Sequence, residues 1–114
     1  MSRTVDVAPQ ARRDIIDIAR TSRTTFGDEA AVGYRNLIIA GIASLAEEPA
    51  KRAAKTHEDV LGGAWTYHLR FFRQLPPRVR PPRHLIVYTY DDEFLRVIRV
   101  LHDAMDLPHQ ATKP

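Results

Sequence analysis

The sequence contains no cysteine among its 114 residues. That excludes a disulfide framework, a thiolate nucleophile and a cysteine-ligated zinc. No apolar run approaches the roughly 18 residues of a membrane span. The opening residues, Met1 to Asp6, lack the apolar stretch of a secretory leader, so the expected location is cytoplasmic. There is no P-loop, no dinucleotide glycine fingerprint and no G-x-S-x-G elbow. The five histidines (57, 68, 84, 102 and 109) do not fall at metal-ligand spacing on a helix, and no metal or cofactor is expected. The acids cluster at turns and on the first helix, so no carboxylate pair for glycosidase chemistry is visible. Lysine is scarce too. Of 17 basic residues only Lys51, Lys55 and Lys113 are lysines, and the other 14 are arginines, whose planar forks match carboxylates and phosphates.

What is present fits one domain spanning residues 1–114, since domains of this length are common and enclose a single core. The formal net charge of +3 is unevenly spread. Residues 1–59 carry nine basic and nine acidic side chains, residues 60–90 carry five arginines and no acid, and residues 91–114 carry three basic and five acidic side chains. One middle segment therefore holds the whole excess, which points to an anionic partner, either an acidic protein segment or nucleic acid.

Residues 3–7 alternate as a short strand. Pro9 suits a first helical turn, and Ala11, Ile15, Ile18, Ala19 and Phe26 form a helix stripe. Arg12, Arg13, Asp14, Asp17, Arg20 and Arg23 are read as the opposite, solvated face, with Arg13 and Asp17 as an i,i+4 pair. Gly27 ends this helix, and Asp28 is placed as the N-cap of a second that runs to about Glu48. Its stripe is Tyr34, Leu37, Ile38, Ile42 and Leu45. Gly33 and Gly41, costly in a helix, imply close approach to a neighbour. With only the Gly27-Asp28 junction between them, the pair forms an antiparallel hairpin. Residues 50–64 read as a loop.

Trp65, Tyr67, Leu69 and Phe71 share one side of a strand whose other side carries Thr66, His68 and Arg70. Pro76, Pro77, Pro81 and Pro82 make 74–83 an extended basic connection. Residues 84–90 are a buried strand, 91–93 a turn and 94–102 a further, central strand, followed by a short tail in which Pro108 limits helix. The order strand, helix, helix, strand, strand, strand predicts an α+β domain: a mainly antiparallel sheet, its last three strands a meander, with the helical hairpin packed on one face. The pairing of the first strand is left open.

The last three strands bring basic and phenolic groups together: Tyr67, Arg70, Arg73, Tyr88, Arg96, Arg99 and His102. Cleavage of RNA by its 2′-hydroxyl needs a proton acceptor, an acid and cations, for which His102, Arg99 and Tyr88 are the candidates. Tyr67 and Tyr88 are read mainly as packing residues, and His102 serves equally well as a structural histidine.

The sequence also resembles a family. Val7-Ala-Pro-Gln-Ala11, Asp14-Ile-Ile, Phe26-Gly27, Leu45 and Pro49 look like the opening of the ParE/RelE superfamily of type II toxins. Tyr67-His-Leu-Arg70, Pro82-Arg-His-Leu-Ile-Val-Tyr88 and Arg99-Val-Leu-His-Asp-Ala-Met-Asp106 resemble its ParE branch, also called plasmid-stabilisation toxins. Thr89 follows Tyr88 where ParE-like chains often have Arg, and the 74–83 connection is longer than in many members.

The resemblance implies a compact α+β toxin neutralised by a cognate antitoxin in a hetero-oligomer, poisoning DNA gyrase and arresting growth. An alternative is a RelE-like ribosome-dependent mRNA endonuclease, and another is an inert member that only binds its antitoxin. It implies antitoxin- or target-binding roles for Arg70, Arg73, Arg83, Arg96, Arg99, His102, Asp103, Met105 and Asp106. His102 lies where some RelE-like toxins place a catalytic histidine, and it also fits the His-x-x-Met-Asp ending of the ParE branch.

Overall fold

A computed structural model describes residues 2–57, 63–72 and 81–104. The expected tail from residue 105 on and most of the proline-rich connection (73–80) lie outside these residues, as do Arg73, Met105 and Asp106. The elements are β1 (Thr4–Val7), α1 (Pro9–Phe26), α2 (Asp28–Glu47), β2 (Lys55–His57), β3 (Ala64–His68), a 3-10 turn (Leu69–Phe71), β4 (His84–Tyr90) and β5 (Phe94–His102). Five strands form one sheet in the order β1-β5-β4-β3-β2. β2, β3, β4 and β5 pair antiparallel in succession, while β1 lies parallel to β5. The α+β layer design is as expected, and the first strand completes the sheet beyond β5. No helix among the described residues is long and apolar enough to cross a membrane.

Gly27 joins the two helices at φ 95°, a conformation that side chains disfavour. Its N–H bonds back to the Arg23 carbonyl, and the same residue serves as N-cap of α2. Asp28, expected at that cap, is instead the first residue of α2, where with Glu29 it faces the positive end of the helix dipole. Gly41 provides the close approach that its cost implied: a Cβ there would lie 2.7 Å from Leu69 Cδ2.

The main core fills the space between hairpin and sheet. Tyr34, Leu37, Ile38, Ile42 and Leu45 from α2 meet Tyr67, Leu69, Ile86, Tyr88, Leu95, Val97 and Val100. Each large apolar side chain buried here stabilises the fold by roughly 1.5–3 kcal/mol. A smaller cluster of Ala64, Val87 and Leu101, with Leu85 and Ile98 against it, gathers other strand residues.

Four local readings are corrected by the structure. Residues 55–57 form β2, a short polar edge strand whose sequence carries no apolar alternation. β3 ends at His68, because the next three residues turn into a 3-10 helix begun by the Arg70 N–H donating to His68 Nδ1 at 3.0 Å. That turn buries Leu69 and leaves Phe71 48% exposed. Asp14 does not belong to the solvated face of α1; it is buried. The pair expected between Arg13 and Asp17 is replaced by Asp17 with Arg20 at 3.7 Å, while Arg13 donates to Gln10 Oε1.

β5 contains a bulge. Val87 faces Arg99 and Tyr88 faces Val97, so Ile98 is the extra residue. The bulge shifts the two-residue alternation, which puts Val100 into the same core as Leu95 and Val97. β1 ends opposite Val97, leaving the rest of β5 without a neighbouring strand on that side. Asp14 of α1 takes its place. Its Oδ2 accepts from the Val100 backbone N–H at 3.0 Å and from Arg99 Nε at 2.8 Å, and its Oδ1 accepts from Arg99 Nη2 at 3.0 Å.

Removing one member of a buried pair strands the other charge. Asp14→Ala should therefore destabilise the fold by about 3 kcal/mol, whereas Arg20→Ala, on the exposed Asp17 pair, should change it by no more than about 0.5 kcal/mol. Asp14→Ala/Arg99→Met should recover part of the loss, because no guanidinium is left unpaired. Urea unfolding of the four proteins measures this; equal losses for Asp14→Ala and Arg20→Ala would contradict it.

Candidate functional site

The bulge in β5 decides where the candidate histidine lies. His102 pairs with His84 in the sheet register, and both rings line a cleft of about 440 Å³ between the sheet end and the hairpin. The rings meet edge to face, with centroids 5.2 Å apart. The helical wall comprises Asp17, Ile18, Thr21, Ser22 and Phe26 of α1 and Tyr34 of α2, and Pro81 and Arg83 complete the sheet side.

His84 is fixed by Tyr34. The Tyr34 hydroxyl accepts from the Arg83 backbone N–H at 3.0 Å and is hydrogen-bonded to His84 Nδ1 at 2.7 Å. Burial, and then the neighbouring His102, lower its pKa to about 4, so the ring is neutral at neutral pH. His102 Nδ1 accepts from the Ala104 N–H at 3.0 Å and lies 3.5 Å from Asp103 Oδ1.

Beside the cleft, Asp103 ties three strand ends together. It accepts a forked pair from Arg83, at 3.1 Å from both Nε and Nη2 to its two oxygens, and a bond from His68 Nε2 at 3.0 Å. His68 Nδ1 is already an acceptor for Arg70 N–H, so Nε2 carries its proton. The Arg83 bonds, followed by the His68 bond, hold the Asp103 carboxyl down at about 2.

The expected site residues are not gathered into one constellation. Tyr88 is fully buried and gives its hydroxyl to the Pro49 carbonyl; burial raises its pKa. That removes it from any surface chemistry and makes it a packing residue. Arg99 is held by Asp14. Arg96 lies between Asp6 at 3.7 Å and Asp91 at 3.6 Å, with its guanidinium over Phe94. Arg83 is committed to Asp103. Arg70 is exposed, with its guanidinium 4.7 Å above the Phe71 ring. Arg83 and His102 line the cleft, and Asp103 lies beside it.

Sequence reasoning passed over Tyr34, His68, His84 and Asp14 as site-forming residues. Asp14 was findable: it falls between Ala11 and Ile18 on the stripe, where a lone acid requires a buried cation. Tyr34 and His84, 50 residues apart, carry no local signal.

Residues 5–107 match the family model described as ParE toxin of type II toxin-antitoxin system, parDE. The chain belongs to the ParE toxin family. Among solved structures, a chain from the "Chromosomal ParDE TA system from P. aeruginosa" has the same fold: TM-score 0.56 at 10% identity, covering 89% of this chain and 96% of that one. A comparison with curated protein sequences finds no match. As a ParE toxin this chain carries its apolar cleft and histidine pair at the open end of the family's hairpin-on-sheet fold.

The depressed His84 pKa makes a pH prediction. Between about 4 and the ordinary 6.5, the unfolded chain takes up a proton that the folded ring refuses, so this contribution to stability is full above 6.5 and is lost as pH falls towards 4. The Asp103 contribution is lost only below its ordinary 3.8, towards 2. The urea midpoint should therefore drop between pH 6.5 and 4, and His84→Asn, which keeps an acceptor for Tyr34, should flatten that part of the profile. An unchanged slope in the variant would refute the assignment to His84.

Proposed function

We propose that this ParE toxin acts in the cytoplasm by binding rather than by chemistry: a cognate antitoxin holds it in a hetero-oligomer, and the free chain arrests growth by inhibiting DNA gyrase. The family match over residues 5–107 supports the toxin–antitoxin reading. The solved relative of the same fold, titled as part of a ParDE system, supports an antitoxin partner. The observation that favours binding over catalysis is the separate commitment of the three candidate catalytic groups. Tyr88 bonds to Pro49, Arg99 to Asp14, and His102 Nδ1 to the Ala104 N–H. General acid–base cleavage needs such groups within hydrogen-bond reach of one substrate.

Induced expression of the chain alone should halt bacterial growth, and co-expression with the adjacent reading frame should restore it. Purified chain should abolish supercoiling by gyrase and leave mRNA on translating ribosomes intact. mRNA cut at the ribosome with supercoiling untouched would instead establish the endonuclease reading. Uninterrupted growth would identify an inert member that only binds its antitoxin.

A further inference from the structure

The two helices of the hairpin turn faces of opposite charge to solvent. On α1 the exposed residues Arg12, Ile16, Arg20 and Arg23 follow one another at spacings of four, four and three, so they share one face. On α2 the exposed residues Glu29, Val32, Asn36, Ile39, Ala43 and Glu47 do the same, at spacings of three and four. The basic face thus carries an aliphatic centre, and the α2 face is an uncharged stripe with an acid at each end. Ile16, Val32 and Ile39 are 56%, 58% and 45% exposed. Three open aliphatic side chains on adjoining helices form a patch, unlike the single apolar residues that are normal on a surface. The ion pairs on this face are Asp17 with Arg20 at 3.7 Å and Asp28 with Arg23 at 3.4 Å. Arg12, Glu29 and Glu47 enter none among the described residues.

We propose that this face binds a second copy of the chain: two hairpins stack into an antiparallel four-helix bundle in which α1 of each copy lies on α2 of the other.

Charge selects both the occupant and its orientation. Exposed α1 carries four arginines and the acid Asp17, while α2 carries Asp28, Glu29 and Glu47 and one arginine, Arg35. A partner of one sign, whether an acidic protein or a phosphate backbone, suits one helix and is repelled by the other. A second hairpin carries both signs. A two-fold axis along the helices sets each basic α1 on the other copy's acidic α2, whereas an axis across them sets arginine on arginine.

The same axis brings the aliphatic residues together. Both helices rise ~1.5 Å per residue from the turn at Gly27. Ile16 stands eleven residues before that turn and Ile39 twelve after it, so the two lie level, and the axis sets Ile16 of one copy against Ile39 of the other. Arg23 then reaches towards Glu29 of the second copy, and Arg12 towards Glu47. The 18 residues of α1 make the stacked face about 27 Å long, and two helix diameters make it ~20 Å wide. Such a face covers on the order of 500 Å² of each copy, at the small end of specific interfaces, so the dimer is expected to be reversible. It needs only the hairpin and stands apart from the cleft and from growth arrest.

Sedimentation equilibrium of the full purified chain, from micromolar to near-millimolar concentration, tests this. The mass should rise from that of one chain to that of two. Ile39→Arg, which sets a cation against the arginine face, should stay monomeric throughout with an unchanged circular dichroism spectrum. Arg12→Glu and Glu47→Arg should each weaken self-association about ten-fold, because like charges then meet twice in the dimer. Mixed in equal amounts, these two variants should associate as tightly as the native chain, since both pairs in the mixed dimer are of opposite sign. A native chain that is monomeric at every concentration, an Ile39→Arg variant that still dimerises, or a mixture no tighter than the single variants would overturn the bundle.

Discussion

The carboxylate of Asp14 makes the rest of this fold possible. β1 is four residues long and β5 is nine, so half of β5 has no strand beyond it. A bare strand edge exposes backbone groups that must find partners or invite other chains. Asp14 supplies the missing partner from a helix, accepting the Val100 N–H. It simultaneously neutralises Arg99, whose side chain is only 15% exposed. One acid thus ties α1 to the centre of the sheet at the point where the bulge has shifted the strand's alternation. The shift brings His102 beside His84 at the cleft, and the tie to α1 keeps the helical wall opposite them. Without the ion pair, the bulged residues would combine an unpaired cation with an uncapped edge.

Asp103 plays a corresponding part at the far end of the same strand. By bonding Arg83 and His68 it links the end of β3, the approach to β4 and the end of β5. Together the two acids alter what the charge distribution means. The excess of +5 in residues 60–90 does not form a free basic surface in the described residues, because Arg83 is neutralised by an acid from the tail-side segment. Arg99, outside that segment, is neutralised by an acid from the balanced first half. Of the arginines expected to bind a partner and described here, Arg70 is the one without a carboxylate beside it. Among the described residues, folding thus sets acids from distant parts of the chain against Arg83 and Arg99.

This explains which parts of the structure were legible in the sequence. The two helices, β4, β5 and the turn between them follow from periodicity and from glycine and proline, because those signals are local and strong. The sheet-end geometry was less accessible. β2 is a three-residue polar edge strand, whose existence depends on pairing with β3 rather than on its own pattern. The end of β3 depends on a side chain, His68, capturing the Arg70 N–H. The bulge at Ile98 lies in an apolar run that reads equally well with either alternation, and it alone determines that His102 joins the cleft instead of the face carrying Arg96. The family resemblance of the Arg99–Asp106 string was legible, but it could not show that Arg99 is consumed by Asp14.

The state of the histidines then bears on what kind of site this is. A general base must be able to hold a proton near neutral pH, and His84 is held neutral by burial with Nδ1 already engaged by Tyr34. His102 has its acceptor nitrogen occupied by the backbone of Ala104. Both rings therefore line the cleft with Nδ1 already engaged. Rings held in this way are poor at taking a proton from a substrate hydroxyl. The hydrogen bonds that fix the two rings therefore argue against proton transfer at this end of the cleft.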